Sequence, residues 1–438
     1  MSLLDALYLA RARRLAEADT IPAALEEGAG AERGSVVPHA NAMAWAAFVL
    51  LLIAAPLLFS SRLGLMLSTQ VCIAIVACMS FNLLYGQGGM LSFAHAVPVG
   101  LGAYAAVHVL AAMPHGGVRV HAEWLPLLAG VVGAAVSWLI GLVAARHAGT
   151  AFAMITLGIG ELVHAAVSMM SGWFGGEGGI SGNRSLAPSL PGMRYGEPLH
   201  LYALVAVFTL VSVVVMRAYT LTPAGYALAA VRENAERAAF VGLRVRRVRL
   251  QSLVVAGFFA GVSGGLSALL LEIATPDAVS PARSASILLF TVLGGTRRTL
   301  GPVIGALLMV LCTSLMPGWT DAWLLYLGVA FMAMMVWEPA GVAGLLERLA
   351  GRWRSGWPRW PGPRVAALRA LAFACLLLAA FSSMLLVQML YRRQFDMGMP
   401  QPLRLPGFAV DVASASSWWA VIAVLLLGLA GWRWSRRA

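Results

Sequence analysis

The chain is built of long apolar runs separated by short polar or basic connections. Runs suited to membrane helices occupy 43–60, 63–85, 90–112, 124–145, 150–170, 199–217, 250–272, 284–296, 301–316, 323–341, 365–390 and 416–433. A hydrocarbon core about 30 Å thick needs about 20 apolar residues per helix. The pattern therefore predicts an all-α, polytopic integral membrane protein. Before the first run, LLDALYLARARRLAEA (3–18) reads as an amphipathic helix lying on a membrane surface, and Pro22–His39 as a loose linker. The first apolar run opens only near Met43, so no cleavable signal peptide is expected.

Two runs break the pattern. Residues 284–296 would give a helix of only about 20 Å, and the next run opens with Gly301-Pro302. Around 86–104, Gly86, Gly88, Gly89, Pro98, Gly100 and Gly102 interrupt the third run in a similar way. Both places carry a Gly-Gly pair (Gly88-Gly89 and Gly294-Gly295), then Pro-Val, then Gly. Short or Gly/Pro-broken segments in two halves of a transporter point to its central pathway and to an internal repeat. Close helix packing through small residues is the structural alternative.

The longest polar interruption inside the chain is Arg217–Gln251, RAYTLTPAGYALAAVRENAERAAFVGLRVRRVRLQ. Ala-rich sequence with charges at i, i+3 and i+4 predicts a helix over Ala224–Val241. Gly242 stands where that helix would stop or turn, and a basic segment with Arg244, Arg246, Arg247 and Arg249 follows. Such a knob suits docking to a cytoplasmic partner; an ordinary basic loop is the alternative. With Arg11, Arg13 and Arg14 in the cytoplasm and one crossing per run, this loop, Arg297-Arg298, the 348–364 linker and the C-terminal WRWSRRA all fall inside. That parity places both termini in the cytoplasm and satisfies the positive-inside tendency.

Composition narrows the function. The chain is 60% hydrophobic and 11% charged, with a net charge of +12 carried by 31 arginines and no lysine. The arginines cluster between apolar runs, so the anionic lipid of the cytoplasmic leaflet, rather than nucleic acid, is the expected partner. A Walker A loop needs a lysine on the phosphates, so this chain builds no P-loop of its own. Cys72, Cys78, Cys312 and Cys375 fall in apolar runs with no C-x-x-C spacing and read as packing residues. The connection 171–198, rich in Gly and Pro, reads as an exposed contact loop on the opposite side, with a flexible connector as the alternative.

Only Glu161 places an acid at the centre of a run. A carboxylate there is expensive, so it is expected to be neutral or paired and to face the bundle. With His164 it forms one E-x-x-H pair; a di-metal carboxylate site needs two, so no metal is expected. Asn82, Gln87, His95 and Tyr104 lie in or beside the first broken run, either lining an aqueous path or tying helices together. The membrane runs hold no nucleophile–base pattern. A rival to a driven permease is a proton-coupled secondary transporter using Glu161.

Glu236-Arg-Ala238-Ala239, three residues, then Gly242 resembles the E-A-A-x-x-x-G coupling motif of bacterial ABC importer permeases. AVRENAERAAFVGL resembles the form found in LivM-type permeases for branched-chain amino acids. NLLYGQGGMLSFAHAVPVGLGAYAA (82–106), TAFAMITLGIGELV with GGEGGISG (150–182), and TVLGGTRRTLGPVIGALL (291–308) carry the same resemblance in the same order. It covers roughly 64–346. It implies a permease core of about ten spans within 43–346, after an N-terminal segment 1–42, with its coupling loop at 218–250. The linker and two-helix extension over 347–438 depart from the family pattern. The resemblance further implies a bacterial inner-membrane location and no catalytic site. Arg232, Glu233, Asn234, Glu236, Ala238, Ala239 and Gly242 would engage two cytoplasmic ATPase subunits, which bind ATP and Mg. A LivH-like second permease would complete the pore, and a periplasmic solute-binding protein would deliver the solute. Asn82, Gln87, His95, Tyr104, Glu161, Gly294 and Gly295 are the expected path residues.

Overall fold

The computed structural model describes residues 38–59, 61–115, 120–189, 194–296, 301–318, 323–337 and 340–354, with short pieces at 383, 403–405, 408–410, 422–423 and 426. The expected surface helix over 3–18, most of the linker after it, and the runs 365–390 and 416–433 lie outside the described residues, apart from those short pieces. Contacts divide the chain into two units, Met1–Leu57 and Leu58–Ala438. In the first lies most of α1 (Pro38–Leu58), where the Trp45 and Phe48 rings meet edge to face at 6.3 Å.

In the second unit, α2 (Arg62–Asn82) starts at Ser61, whose Oγ accepts from Gly64 N at 3.1 Å. Satisfying a free N–H of the first turn in this way fixes where a helix begins. α2 runs on as a π-turn, Leu83–Gln87, and stops at Gly88-Gly89, where Gly89 takes φ +65°. After it come α3 (Ala96–Ala112), α4 (Leu125–Ala144), α5 (Gly149–Met169) and α6 (Pro198–Thr220). The polar connection forms α7 (Pro223–Glu233) and α8 (Ala235–Phe240). Then follow α9 (Val245–Leu271), α10 (Pro281–Gly294), α11 (Gly301–Leu315), α12 (Trp323–Trp337) and α13 (Gly341–Arg354). Two short antiparallel ladders complete the elements: β1 (Ile180–Ser181) with β2 (Ile273–Ala274), and β3 (Leu403–Leu405) with β4 (Phe408–Val410).

Among the described residues, six helical stretches are long and apolar enough to cross a bilayer: Arg62–Gln87, Ala122–Ala144, Gly149–Met169, Pro198–Thr220, Val245–Leu271 and Gly301–Gly318. Phe48–Leu58, Ala96–Ala112, Pro281–Gly294 and Trp323–Met335 are shorter. The protein is thus predominantly helical and polytopic. Six of the ten runs expected for the core are matched by these spanning stretches. α3 is short because residues 88–95 are spent on the non-helical break before it.

α9 is the most enclosed of the six, packed against α4, α3 and α2. The reason is a stripe of small residues. A Cβ at Gly261 would strike Ala129 O, and one at Gly264 would strike Val99 O. Backbones that close give the helices their contact through dispersion, since lipid offers no hydrophobic gain for helix association.

Candidate coupling loop and broken segments

The polar connection starts where α6 ends. Thr222 Oγ1 accepts from Gly225 N at 3.4 Å, Pro223 occupies the first turn of α7, and Gly225, Leu228 and Val231 form its buried face. The single helix expected over Ala224–Val241 is two helices. Asn234 leaves the helix with φ −155° and ψ 104°, and its Oδ1 accepts from Arg237 N at 2.9 Å. An Asn side chain competes for backbone donors and so favours a cap over a helix interior. α8 closes at Gly242, which takes φ +93°, with Gly242 N on Ala239 O at 2.9 Å and Leu243 N on Ala238 O at 3.1 Å. The basic segment that follows is no separate part of the knob. From Val245 onward it is the first turns of α9, so the loop's exit is rigidly continuous with the most enclosed span.

The loop residues divide by exposure. Glu233, Asn234, Glu236, Ala239 and Gly242 are exposed, while Ala238 is buried. Two residues not singled out in the sequence form the tip: Phe240 is 91% exposed and Val241 80%. An apolar pair placed between the charges of the loop was the available signal. Arg232 is exposed too and also reaches back to the first break. Its Nη1 donates to Gly86 O in the π-turn, and its aliphatic stem lies against Gly89.

The first break is tied down on several sides. Gly89 N reaches Tyr85 O at 2.9 Å and Met90 N reaches Leu84 O at 3.1 Å. Phe93 N donates to Thr156 Oγ1 of α5 at 3.1 Å, and Ala96 N donates to Ser284 Oγ of α10 at 2.8 Å. His95 is buried, hydrogen-bonded through Nε2 to Ser80 Oγ at 2.9 Å and edge-on to Phe81 at 5.2 Å. Its geometry is that of a helix tie. Tyr104 is buried against Phe174 at 5.0 Å, and its hydroxyl has no hydrogen-bond partner among the described residues. Asn82 and Gln87 do come together. With Met79, Arg217 and Thr220 they line a cavity of about 70 Å³, and the buried Asn82 Oδ1 is without a hydrogen-bond partner.

The second break meets the first. α10 ends at Gly294, Gly295 takes φ +110°, and Gly294 lies directly against Gly301 O. A Cβ at Gly86 would come within 2.9 Å of Thr296 O. The two Gly-Gly segments, over 200 residues apart in sequence, are therefore neighbours.

Glu161 is not among them. It is exposed on α5, contrary to the expected inward orientation. Phe152, Ala153, Thr156, Gly160 and Val167 take the packed face. A 100° step per residue carries Glu161 off that face beside Gly160. His164 is turned differently, its Nδ1 3.3 Å from Pro276 O, so the E-x-x-H pair diverges. No group of three or more His, Cys, Asp or Glu side chains suited to a metal occurs among the described residues.

On the opposite end of the bundle, the connection after α5 is held at Arg184 and Tyr195 among the described residues. Arg184 donates from Nη1 to Leu269 O (2.8 Å) and Leu270 O (3.0 Å) and from Nε to Tyr195 O (2.8 Å). It also pairs with Glu272 at 3.8 Å. Arg184 thereby satisfies the free carbonyls at the end of α9. Tyr195 donates its hydroxyl to Glu123 at 2.7 Å. Burial, then the neighbouring carboxylate, push the Tyr195 hydroxyl well above the usual tyrosine range, so it stays protonated as a donor.

Residues 63–337 match the family described as the permease component of branched-chain amino acid transport systems. The chain is 27% identical over 305 residues to the high-affinity branched-chain amino acid transport system permease protein LivM of Salmonella typhimurium, covering 64% of this chain and 70% of that protein. The LivM protein of Escherichia coli is 27% identical, with 63% and 69% covered. Similarity extends to LivH of Salmonella typhimurium, at 26% identity over 55% of this chain and 80% of that one. No solved structure matches the chain.

Proposed function

Because the chain belongs to the family of branched-chain amino acid permease components, we propose that it conducts such amino acids inward through an ATP-driven importer, worked from its α7–α8 loop. It is a transporter permease subunit and not an enzyme. The single observation that carries the coupling is the Arg232–Gly86 contact, which joins the loop to the first break. Two separate cytoplasmic ATPase subunits, binding ATP and Mg, engage the exposed turn from Asn234 to Gly242, with Phe240 and Val241 as its apolar tip. A LivH-like permease subunit completes the pore, and a solute-binding protein docks at the connection 171–198. Both termini lie in the cytoplasm of the bacterial inner membrane.

The geometry supports one motion. When the ATPases close, α7 and α8 move together, because Asn234 and Thr222 fix both helix starts. α9 follows as a continuous lever, and Arg232 carries the shift to the π-turn at Gly86. That turn abuts Thr296, so both breaks respond together. Uptake of leucine by the chain with its partner subunits is the test. Uptake should collapse when ATP is depleted and survive a protonophore. The reverse pattern would establish proton coupling through Glu161 instead.

A further inference from the structure

At the end of the bundle remote from the coupling loop, α2, α9, α10 and α11 surround a partly open cavity of about 150 Å³. Ser267 on its wall is 22 residues beyond the start of α9, or about 33 Å along the helix. Two chemistries meet there. Ile73, Leu270 and Val310, from three different helices, give an aliphatic wall. Gln70, Ser267 and Arg283 give a polar one.

Arg283 is the unusual member. It sits in the first turn of α10, where Ser280 Oγ caps its main-chain N–H at 3.2 Å. A cation at a helix N-terminus opposes the helix dipole, so helix stability does not account for it. Its side chain is exposed, and among the described residues its guanidinium has neither a hydrogen bond nor an acidic partner; the ion pairs lie elsewhere. A planar guanidinium is the side chain best matched to a carboxylate, through two parallel hydrogen bonds. A cavity of about 150 Å³ admits a molecule of about benzene's size. A carboxylate head with a short branched aliphatic tail meets both walls.

We propose that this cavity is a solute-binding site in which Arg283 holds the carboxylate of an aliphatic amino acid while Ile73, Leu270 and Val310 receive its side chain. The inference rests on the reading of the chain as a permease for branched-chain amino acids, and it assigns the groups that recognise them. Gln70 and Ser267 supply acceptors on the same wall for the ammonium group.

The test is saturation-transfer NMR on the full chain in phosphatidylcholine nanodiscs, with leucine and with leucinol, which replaces the carboxylate by a hydroxymethyl group. Leucine should give methyl signals from the wild-type chain, and leucinol should bind at least tenfold more weakly. Arg283→Gln should weaken leucine at least tenfold, and Arg283→Lys should retain part of the affinity. Equal binding of leucine and leucinol to the wild-type chain overturns the proposal without any variant. So does an undiminished leucine signal in Arg283→Gln. An Arg283 occupied by lipid phosphate predicts no Arg283-dependent leucine signal, together with loss of co-purified phosphatidylglycerol in Arg283→Gln; that outcome also overturns it. Wild-type leucine uptake is measured separately. Uptake without carboxylate-dependent binding sinks the cavity alone, and no uptake of any branched-chain amino acid sinks the transport reading.

Discussion

The Arg232 guanidinium, carried on the last turn of α7, donates to the main-chain carbonyl of Gly86, 146 residues away in sequence. Gly86 belongs to the π-turn that ends α2, and a π-turn leaves the regular i to i−4 ladder incomplete. Its carbonyl accepts a charged donor from the loop, so Arg232, exposed on the loop, also braces the first break.

Arg232→Gln should therefore uncouple the transporter without detaching the ATPase. A hydrogen bond to a charged group contributes about 1.5–3 kcal/mol, so leucine uptake should fall by roughly tenfold or more. Co-purification of the ATPase should persist, because the exposed turn from Asn234 to Gly242 is intact. Loss of co-purification in parallel with uptake would return Arg232 to the docking surface.

Gly242 tests the turn itself. A Cβ there meets no atom within 4 Å, yet φ is +93°. The cost of a side chain is thus backbone strain, of about 1–3 kcal/mol. Gly242→Val should weaken ATPase co-purification strongly and Gly242→Asn less, with membrane insertion unchanged in both. Equal, wild-type binding by both variants would leave the loop a basic connector.

Glu161 sits mid-helix on the exposed face of α5, with Met154 and Leu162. A charged side chain facing lipid there would cost from about 2.5 kcal/mol upward, so the proposed importer is expected to cover it with another subunit or water. Glu161→Gln keeps the shape and hydrogen-bonding capacity and should leave ATP-dependent uptake within about twofold of wild type. Glu161→Leu should lower uptake or subunit assembly. Loss of uptake with preserved solute exchange in the Gln variant would favour the proton carrier.

Arg184 holds the far-side connection to the end of α9. Arg184→Ala strands the carbonyls of Leu269, Leu270 and Tyr195, at a cost of about 1–3 kcal/mol for each group left unsatisfied. The unfolding midpoint in detergent should drop by several degrees. Arg184→Lys should recover little of it, because an ammonium cannot reproduce the guanidinium fork. An unchanged midpoint in Arg184→Ala would show the connection to be loose.

The helices were legible because each rests on a local signal. Apolar runs set α2, α4, α5 and α6 to within a few residues, since removing about 20 residues from water is a property of the run alone. Gly88-Gly89 and Gly294-Gly295 marked the breaks for the same reason: glycine removes the side-chain constraint on the backbone. The split of the loop helix at Asn234 was local too, but Ala-rich propensity outweighed the cap signal. What the sequence could not hold is direction. Exposed Glu161 and buried Gly160 are adjacent residues of one apolar run, and only the packing of α5 chose between their faces. The meeting of Gly86 with Thr296, the reach of Arg232 to Gly86, and the gathering of Arg283, Gln70 and Ser267 around one cavity join segments far apart in the chain. Such contacts depend on how closely backbones approach, as at Gly86, where a Cβ would come within 2.9 Å of Thr296 O. Periodicity fixes which residues lie in a helix; close packing at small residues decides which of them meet.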